Sequence, residues 1–438
     1  MTVKPPAAAP PSAAPYGYSL GLLTTIYVFN FLDRQVMTIL AEPIKRELHL
    51  HDWQLGVMTG LAFALLYTIV GFPIARLAER GDRSRIIAVA VLVWSAFTMV
   101  CGLAQSFVQL VLARVGVGVG EAGLSPPAQS LISEIVPREK RASAMALYSL
   151  GPPLGQILGV ATGGLIASIW GWRTAFLIAG GPGIVLAVLA ATTLKEPRRS
   201  QPREAARDVP PLRAMARLLA AKRSFWLLAF GAAAKAFITY GQGAFMASFF
   251  LRVHGAELAT LAADLGLKPI GFLGLTLGLA GGAAGIFGSI GGGRLADRWV
   301  ARDLSAFATL PAICALAAMP FLVGALLVGS FWPSILLFCV SIVLNAAWLG
   351  PVNAAVQGLV HPRSRATAAA ALLFVINLVG LGLGPICVGL TSDLLAGPGG
   401  LGSAEGLRWA LVGATSISLV ATALFWSARE PIRHDTIS

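Results

Sequence analysis

The chain has 438 residues, of which 56% are hydrophobic and only 12% are charged. Soluble domains carry about a quarter charged residues, and no soluble fold could bury so much apolar surface, so composition excludes a soluble protein. It predicts a helical protein that crosses a membrane many times. The net charge of +13 does not indicate a nucleic-acid partner, because the basic residues lie in short segments between apolar runs.

Hydropathy predicts an all-α fold with twelve transmembrane helices. The predicted spans are 18–41, 54–75, 86–104, 107–133, 142–167, 174–194, 225–250, 271–293, 304–328, 333–360, 366–391 and 409–426. Residues 1–17, rich in proline and alanine, are predicted to be a disordered tail rather than a signal peptide. All four cysteines fall inside predicted spans and are expected to be small buried hydrophobes.

A polar break at residues 195–224 separates six spans from six. It contains nine basic and three acidic residues and predicts a linker between an N-terminal bundle (18–194) and a C-terminal bundle (225–426), with a tail at 427–438. Of 33 lysines and arginines, 24 lie on the side of the linker and tails, 6 lie on the opposite side and 3 lie within spans. The positive-inside rule therefore predicts cytoplasmic termini in an inner or plasma membrane.

Two motifs repeat between the halves. The segment 75–80 (ARLAER) recurs at 293–298 (GRLADR), and the segment 137–142 (PREKRA) recurs, one residue shorter, at 362–366. Two matches at nearly equal offsets predict two pseudo-symmetric six-helix halves, the arrangement of major facilitator transporters. The charges of the first motif are predicted to latch a cytoplasmic gate, whose candidate residues are Arg76, Glu79, Arg80, Gly293, Asp297 and Arg298.

Two glycine ladders mark close helix packing. One has a four-residue spacing on span 5 and the other has the same spacing on span 8, and their members are Gly151, Gly155, Gly159, Gly163, Gly274, Gly278 and Gly282. Small residues at this spacing let helix backbones approach closely. Sliding between the two halves at these contacts is an alternative that the sequence leaves open.

Five charged residues lie inside the spans: Asp33, Arg34, Arg114, Glu121 and Lys235. Arg114 and Glu121 are seven residues apart and project from one helix face. At 1.5 Å per residue, the four charges of spans 1 and 4 lie ~18 to ~28 Å from the inner edge, so one locally neutral network is expected. Charge at membrane depth normally faces a cavity or a protein interior. A structural ion pair between two helices is the alternative to a functional site.

Two hypotheses assign chemistry to these charges. In the first, Glu121, or else Asp33, binds and releases a proton, since all five histidines lie in loops or tails. In the second, Arg34, Arg114 or both bind a phosphate or carboxylate on the substrate. Lys235 is expected either to line the same cavity or to snorkel toward the cytoplasm. Candidate cavity residues that each have a helix–helix hydrogen bond as the alternative are Tyr240, Gln242, Asn345, Trp348, Asn353 and Asn377.

The first half resembles the Spinster-like family of the major facilitator superfamily. The resemblance rests on the segment 30–34 (NFLDR) and on the run 114–159, which begins RVGVGVGEAGLSPP. Two departures from the superfamily motif, Glu79 for Asp and Ala75 for Gly, keep its chemistry. The resemblance implies a secondary transporter of lysolipids or sphingoid phosphates, and it implies functional roles for Asp33, Arg34, Arg114 and Glu121.

The leading interpretation is a proton- or gradient-coupled transporter that moves an amphipathic anion by alternating access. Export of drugs or uptake of small carboxylates is the alternative within the same class, and an uncoupled lipid scramblase or a membrane receptor is the alternative outside it. No phosphate-binding loop and no metal or nucleophile spacing is present, so neither an enzyme nor a cofactor is expected. The expected partners are protons, the anionic substrate and membrane lipid, and the expected state is a monomer.

Overall fold

The computed structural model describes residues 16–197, 218–361 and 364–435, except for the side chains of residues 72, 75, 79, 80, 138, 142 and 366. The described residues contain twelve long helices. These are α1 Tyr16–Leu48, α2 52–80, α3 Arg83–Leu103, α4 Phe107–Ile135, α5 141–170, α6 172–193, α7 Arg223–Val253, α8 Pro269–Val300, α9 Ala306–Leu327, α10 Phe331–Gly358, α11 365–396 and α12 402–427. Short helices follow α7 at Gly255–Ala263 and α12 at Arg429–Asp435.

The prediction of twelve transmembrane helices is confirmed. Within the described residues, nine continuous helical stretches are long and apolar enough to cross a membrane, and one of them contains both α5 and α6. These two helices meet at Gly171, whose φ of 83° turns the chain in a way that favours glycine. The helices α1 and α7 are not among the nine, because polar residues interrupt their middles.

Several helices run beyond the predicted spans. The prediction ended the first span at residue 41, whereas α1 continues through Pro43 to Leu48. Its extra turns carry Glu42 and Lys45, which find charged partners in the protein instead of facing lipid. Part of the predicted tail at 427–438 forms the helix Arg429–Asp435, and residues 436–438 lie outside the described part. Most of the predicted N-terminal tail also lies outside it.

The bundle has two ends, which we call the linker end and the distal end. At the linker end, the Tyr18 hydroxyl and the Thr193 hydroxyl are 2.8 Å apart, and Lys222 donates to the carbonyl of Asp435 at 2.6 Å. The distal end holds the connection between α1 and α2 and the end of α11. Exposed tryptophans occur near both ends, as is typical of a protein that spans a bilayer, and they include Trp53, Trp170, Trp226, Trp332, Trp409 and Trp426.

The two halves share the same local irregularities. A π-helical turn interrupts α2 at Val57–Leu61 and α8 at Leu277–Gly281. The helix α4 breaks at residues 122–124 and α10 breaks at residues 347–348. A third sequence correspondence also emerges, since Lys-Glu-Pro follows α6 at 195–197 and Arg-Glu-Pro follows α12 at 429–431. These features agree with the predicted pseudo-symmetric halves.

The glycine ladders lie at close helix crossings, as predicted. A Cβ atom on Gly155 would lie 2.4 Å from the carbonyl oxygen of Val28 on α1. A Cβ atom on Gly164 would lie 2.9 Å from the Cα atom of Gly274, so α5 and α8 touch backbone to backbone where the halves meet. Small residues therefore set both the packing inside the first half and the contact between the halves.

The prediction of four buried cysteines is wrong for Cys387. Cys101 and Cys314 are buried and Cys339 is half-buried, whereas Cys387 is exposed on α11. A thiol side chain is weakly polar, so it is as stable against lipid tails as in the protein interior.

We expect Gly155→Ala to lower the free energy of unfolding by about 1–3 kcal/mol, because its new methyl group would press on the backbone of α1. Thermal unfolding of the purified protein in detergent measures this. Gly181→Ala on α6 is the matched control, since nothing lies within 4 Å of the Cβ atom it adds. Equal stability of the two variants would contradict the packing role of Gly155.

Candidate functional site

Three glycines let α4 approach its neighbours where the charges lie. Cβ atoms on Gly116 and Gly120 would lie 2.4 Å from the ring of Phe97 and 2.5 Å from the backbone of Trp94, both on α3. A Cβ atom on Gly118 would lie 2.7 Å from a backbone oxygen of α2. The first segment of α4 ends at Glu121, before the break. This alternating Gly-Val run therefore brings the Glu121 side chain into the centre of the first half.

Arg34 and Glu121, two members of the predicted network, form an ion pair between α1 and α4. Arg34 Nε donates to Glu121 Oε2 at 2.5 Å. Glu121 is 1% exposed, whereas the Arg34 side chain keeps 19% of its surface open. Tyr67 is the other side-chain hydrogen-bond neighbour of this guanidinium. A guanidinium has five N–H donors, so Arg34 keeps hydrogen-bonding capacity for a ligand.

Asp33 and Arg114 lie in the same buried region but do not pair with each other. Thr98 Oγ1 donates to Asp33 Oδ2 at 3.2 Å, and Arg114 Nε donates to the carbonyl of Met58 at 3.4 Å. Asp33 is 1% exposed and Arg114 is 3% exposed. Neither makes an ion pair within the described part of the chain. The predicted network of two acids and two bases therefore contains one formed pair and two charges held by neutral groups.

Three buried polar atoms in this cluster lack a hydrogen-bond partner among the described residues: Asn30 Nδ2, Asp33 Oδ1 and Glu121 Oε1. Native proteins rarely leave such atoms unsatisfied, and where they do, the cause is commonly a functional site, an unseen water or an ion. All three atoms lie on one turn of α1 or at the end of the first segment of α4, beside the pair of Arg34 and Glu121.

An aromatic cage surrounds the Arg34 guanidinium. Its Cζ atom lies 4.9 Å from the ring centre of Phe31, 4.6 Å from Phe63 and 4.9 Å from Tyr67. Beside it, Tyr27 stacks on Tyr148 with ring centres 4.5 Å apart. Aromatic rings at these distances stabilise a cation through the negative potential of their faces.

Our sequence reasoning missed most of this cage. The signal was present, because Tyr27, Phe31 and Arg34 occur at i, i+4 and i+7, which places them on one face of α1. Tyr240 on α7 was predicted, and it lies close enough to Arg34 and Tyr27 to interact with them electrostatically. Four of the six tyrosines of the chain therefore gather around Arg34, and one of them comes from the second half.

The other predicted residues of the second half have different surroundings. Lys235 is 1% exposed and donates to Asn345 Oδ1, so it does not snorkel, and Asn345 in turn donates to Ser341 at 3.1 Å. Gln242 of α7 donates to Thr415 of α12, which is a hydrogen bond between helices. Asn353 donates to the carbonyl one turn earlier in its own helix. Trp348 is 7% exposed in the core, and Asn377 is half-buried in the π-helical stretch Ile376–Leu383.

The comparisons with known proteins agree on the family. Residues 23–385 match the Major Facilitator Superfamily. A solved structure of a bacterial homolog to the human lysosomal transporter Spinster, inward-facing and unoccupied, is 33% identical over 97% of this chain and 99% of its own, with a TM-score of 0.86. This chain is a Spinster-like member of the major facilitator superfamily. It is therefore a multi-pass membrane transporter and not an enzyme.

Curated relatives of this Spinster-like chain differ in their described roles. An MFS-type efflux pump of Mycolicibacterium smegmatis is 34% identical over 96% of this chain and 94% of its own length. Protein spinster homolog 1 of Homo sapiens is 27% identical over 86% of this chain and 73% of its own length.

Within the described residues, no group of three or more His, Cys, Asp or Glu side chains is placed to hold a metal ion.

A cluster at the distal end, which we call the distal latch, joins the two halves of the transporter. Arg252 of α7 donates through Nη1 and Nη2 to both carboxylate oxygens of Asp52, at 2.8 and 2.7 Å, and through Nε to Glu42 at 2.8 Å. Ser392 donates to Asp52 at 2.7 Å, and Asp393 accepts from the backbone N–H groups of Asp52 and its neighbour. The carboxylate of Asp393 thus caps the helix that opens α2 in the opposite half.

Sequence reasoning missed the distal latch because its residues lie just beyond the predicted spans. Each residue alone resembles an ordinary charge at a helix end. The helix α1 continues past residue 41 to Glu42, and a long apolar run of α7 leads to Arg252. These two extensions bring Arg252 to the same level as Glu42 and Asp52.

At the linker end, the predicted gate residues are mostly exposed. Arg76, Asp297 and Arg298 are exposed, and Gly293 has open space around it. The side chains of Glu79 and Arg80 lie outside the described part, so the gate remains a prediction. A buried cluster beside it was missed, in which Arg83 Nη1 is 2.7 Å from Glu134 and Arg83 Nη2 is 2.5 Å from Glu196.

We expect Arg252→Gln to shift the conformational equilibrium toward opening of the distal end by about tenfold or more, because Glu42 and Asp52 would lose their only cation from the opposite half among the described residues and keep only Arg46 and Lys45 of their own half. The distance between spin labels on the distal ends of the halves measures this shift. Arg173→Gln is the matched control, since Arg173 also lies at the distal end but bonds to Glu47 and Ala104 within one half. An unchanged distance distribution for Arg252→Gln would contradict the role of the distal latch.

Proposed function

We propose that this chain is a proton-coupled secondary transporter that moves an amphipathic organic anion by alternating access between its two halves. The observation that carries this proposal is the buried cluster of two acids and two arginines on α1 and α4, of which one ion pair is formed. Such charges inside a membrane bundle are expensive, and they commonly mark substrate or proton pathways.

Proton coupling follows from the unequal state of the two acids. Glu121 is neutralised by Arg34, whereas Asp33 is 1% exposed and has no basic partner among the described residues. A buried carboxylate without a counter-ion is stable when it carries a proton. Asp33 therefore holds the proton in this conformation, and Glu121 exchanges its partner when a substrate anion competes for Arg34.

The substrate class follows from the surroundings of Arg34. Its free donors suit a phosphate or carboxylate, and the aromatic cage suits an apolar group attached to that anion. Lysophospholipids and sphingoid phosphates combine both features, and the similarity to Spinster proteins supports this class. Arg114 contributes positive charge behind the site, and Lys235 with Asn345 supplies a second cation in the other half.

A second candidate function is export of drug-like organic anions. The observation that favours it is the 34% identity with an efflux pump over nearly the whole chain. An aromatic cage around a cation also accommodates planar aromatic anions. Flux of a lysophospholipid and flux of an aromatic carboxylate, measured in the same liposomes, separate the two candidates.

We also propose an orientation with both termini and the linker in the cytoplasm, based on the distribution of lysine and arginine. In that orientation the distal latch closes the outer side of the transporter. The structural neighbour is in an inward-facing conformation, which supports this arrangement. Alternating access then requires the distal latch to release while the linker end closes.

We expect Glu121→Gln and Asp33→Asn to abolish accumulation of a lysophospholipid driven by a pH gradient in liposomes, because neither amide can release a proton. Exchange of labelled for unlabelled substrate at equal pH should persist in Asp33→Asn, which mimics the protonated acid. Glu139→Gln, at an exposed glutamate of the linker end, is the control.

Three outcomes would overturn proton coupling. If both variants keep gradient-driven accumulation, neither acid carries the coupled proton and the pair of Arg34 and Glu121 is structural only. If wild-type flux is saturable but indifferent to the gradient, the protein is a uniporter, and if flux does not saturate it is a scramblase. Thermal unfolding of each variant establishes that loss of flux does not reflect loss of fold.

We expect Arg34→Lys to weaken substrate binding by about tenfold to a hundredfold, since a lysine keeps the charge but loses the paired donors at the edge of the guanidinium. Binding to the purified protein, measured calorimetrically with a lysophospholipid, tests this. Arg46→Lys is the control, because Arg46 lies on the same helix and its side chain is 66% exposed. Equal affinity of Arg34→Lys and wild type would exclude Arg34 from the substrate site.

A further inference from the structure

A small basic pocket lies at the linker end of the second half, away from the central site. It occupies about 270 Å³ between the connection from α8 to α9 and the helix Arg429–Asp435. Trp299, Arg302, Asp303, Thr309 and Arg429 are among the residues that line it. Transport through the central site uses none of these residues.

The only acid that lines this pocket among the described residues is already occupied. Asp303 accepts from Arg433 Nε at 2.9 Å and also from Arg433 Nη2, and Ser305 donates to it through both its hydroxyl and its N–H group. The hydrogen bonds from Arg433 hold the pKa of the Asp303 carboxyl well below its usual range. This carboxylate is therefore matched by Arg433 and does not neutralise the other arginines of the pocket.

Arg302 and Arg429 are left without an acidic partner in the described part of the chain. Arg302 is exposed, and Arg429 is half-buried with its Cζ atom 4.1 Å above the ring of Trp426. Arg429 Nε is buried and has no hydrogen-bond partner among the described residues. Glu430 is exposed and does not line the pocket. Two guanidinium groups thus line one cavity, and the only carboxylate that lines it among the described residues, Asp303, is already paired with Arg433.

At the linker end of the first half, a glutamate supplies the negative charge that the pocket of the second half lacks. There, Glu196 of the Lys-Glu-Pro segment is buried and accepts from Arg83 with both carboxylate oxygens, from Nε at Oε2 and from Nη2 at Oε1. In the second half, the matching glutamate of the Arg-Glu-Pro segment, Glu430, is exposed. The first half therefore neutralises its buried arginine from within, whereas the second half leaves an anion position to be filled from outside.

The position of the pocket relative to the membrane indicates which kind of anion can reach it. Trp426 is 51% exposed on the outer surface of α12, and tryptophans on such surfaces mark the level of lipid headgroups. Basic pockets between helices at this level bind phosphate-bearing headgroups. We propose that the pocket formed by Arg302, Arg429 and Trp299 binds the phosphate headgroup of an anionic phospholipid, separately from the transport site.

The experiment compares retention of phosphatidylglycerol and phosphatidylcholine by the full-length protein, using native mass spectrometry after purification with an equal mixture of both lipids. We expect wild type to retain phosphatidylglycerol preferentially, and Arg302→Gln/Arg429→Gln to retain it at least about tenfold more weakly, since two charge-assisted contacts are lost. The control is Arg85→Gln/Lys140→Gln, which removes the same charge from exposed positions at the linker end of the first half.

Three results would overturn the proposal. The first is equal retention of phosphatidylglycerol by the pocket variant and wild type. The second is an equal loss in the control variant, which would indicate general attraction to positive charge. The third is full displacement of the lipid by millimolar glycerol phosphate, which would assign the pocket to a soluble anion. If the double variant does not fold, as judged by size-exclusion chromatography, Arg302→Gln alone is tested, because that side chain is exposed.

Discussion

The arrangement of this transporter depends on one constraint, which is that a charge removed from water inside the bundle needs a partner. The pair between Arg34 and Glu121 satisfies this constraint across α1 and α4. The glycines of α4 make the pair possible, since any larger residue at Gly116, Gly118 or Gly120 would hold α4 away from α2 and α3. Asp33 and Arg114 do not meet this constraint with an ion pair among the described residues, and neutral groups hold them instead.

The two halves solve the same electrostatic problem differently. The first half concentrates acids and bases in its centre and neutralises Arg83 internally at the linker end. The second half has one central cation, Lys235, which is held by the neutral amide of Asn345. At its linker end Asp303 pairs with Arg433, and Arg302 and Arg429 have no acidic partner among the described residues. Pseudo-symmetry therefore governs the backbone, whereas charge is distributed asymmetrically.

Contacts between the halves differ in character along the membrane normal. At the distal end they are ionic and directional, because Arg252 and Asp393 reach carboxylates and backbone donors of the opposite half. In the middle they consist of glycine backbones, such as Gly164 against Gly274. Ionic contacts break when water enters, while glycine contacts permit sliding without a change in contact chemistry. This combination suits a molecule whose halves rock about a central crossing.

The sequence by itself determined the number of helices, the two-fold repeat and the grouping of Asp33, Arg34, Arg114 and Glu121. The helices follow from apolar runs of membrane length, the repeat from two matching motifs, and the grouping of charges from their depth within spans 1 and 4. Spacing on α1 also contained the signal for Tyr27 and Phe31, which share a face with Arg34.

Only the tertiary structure decided which charges pair. Helix depth places the four charges within reach of one another, but the rotation of α1 against α4 selects Arg34 for Glu121 and leaves Asp33 to Thr98. The distal latch and the cluster around Arg83 were also decided there, since each joins residues that are far apart in sequence and unremarkable alone. The reason is physical: hydropathy reports how deep a residue lies, whereas pairing depends on packing between helices, which single-residue patterns do not contain.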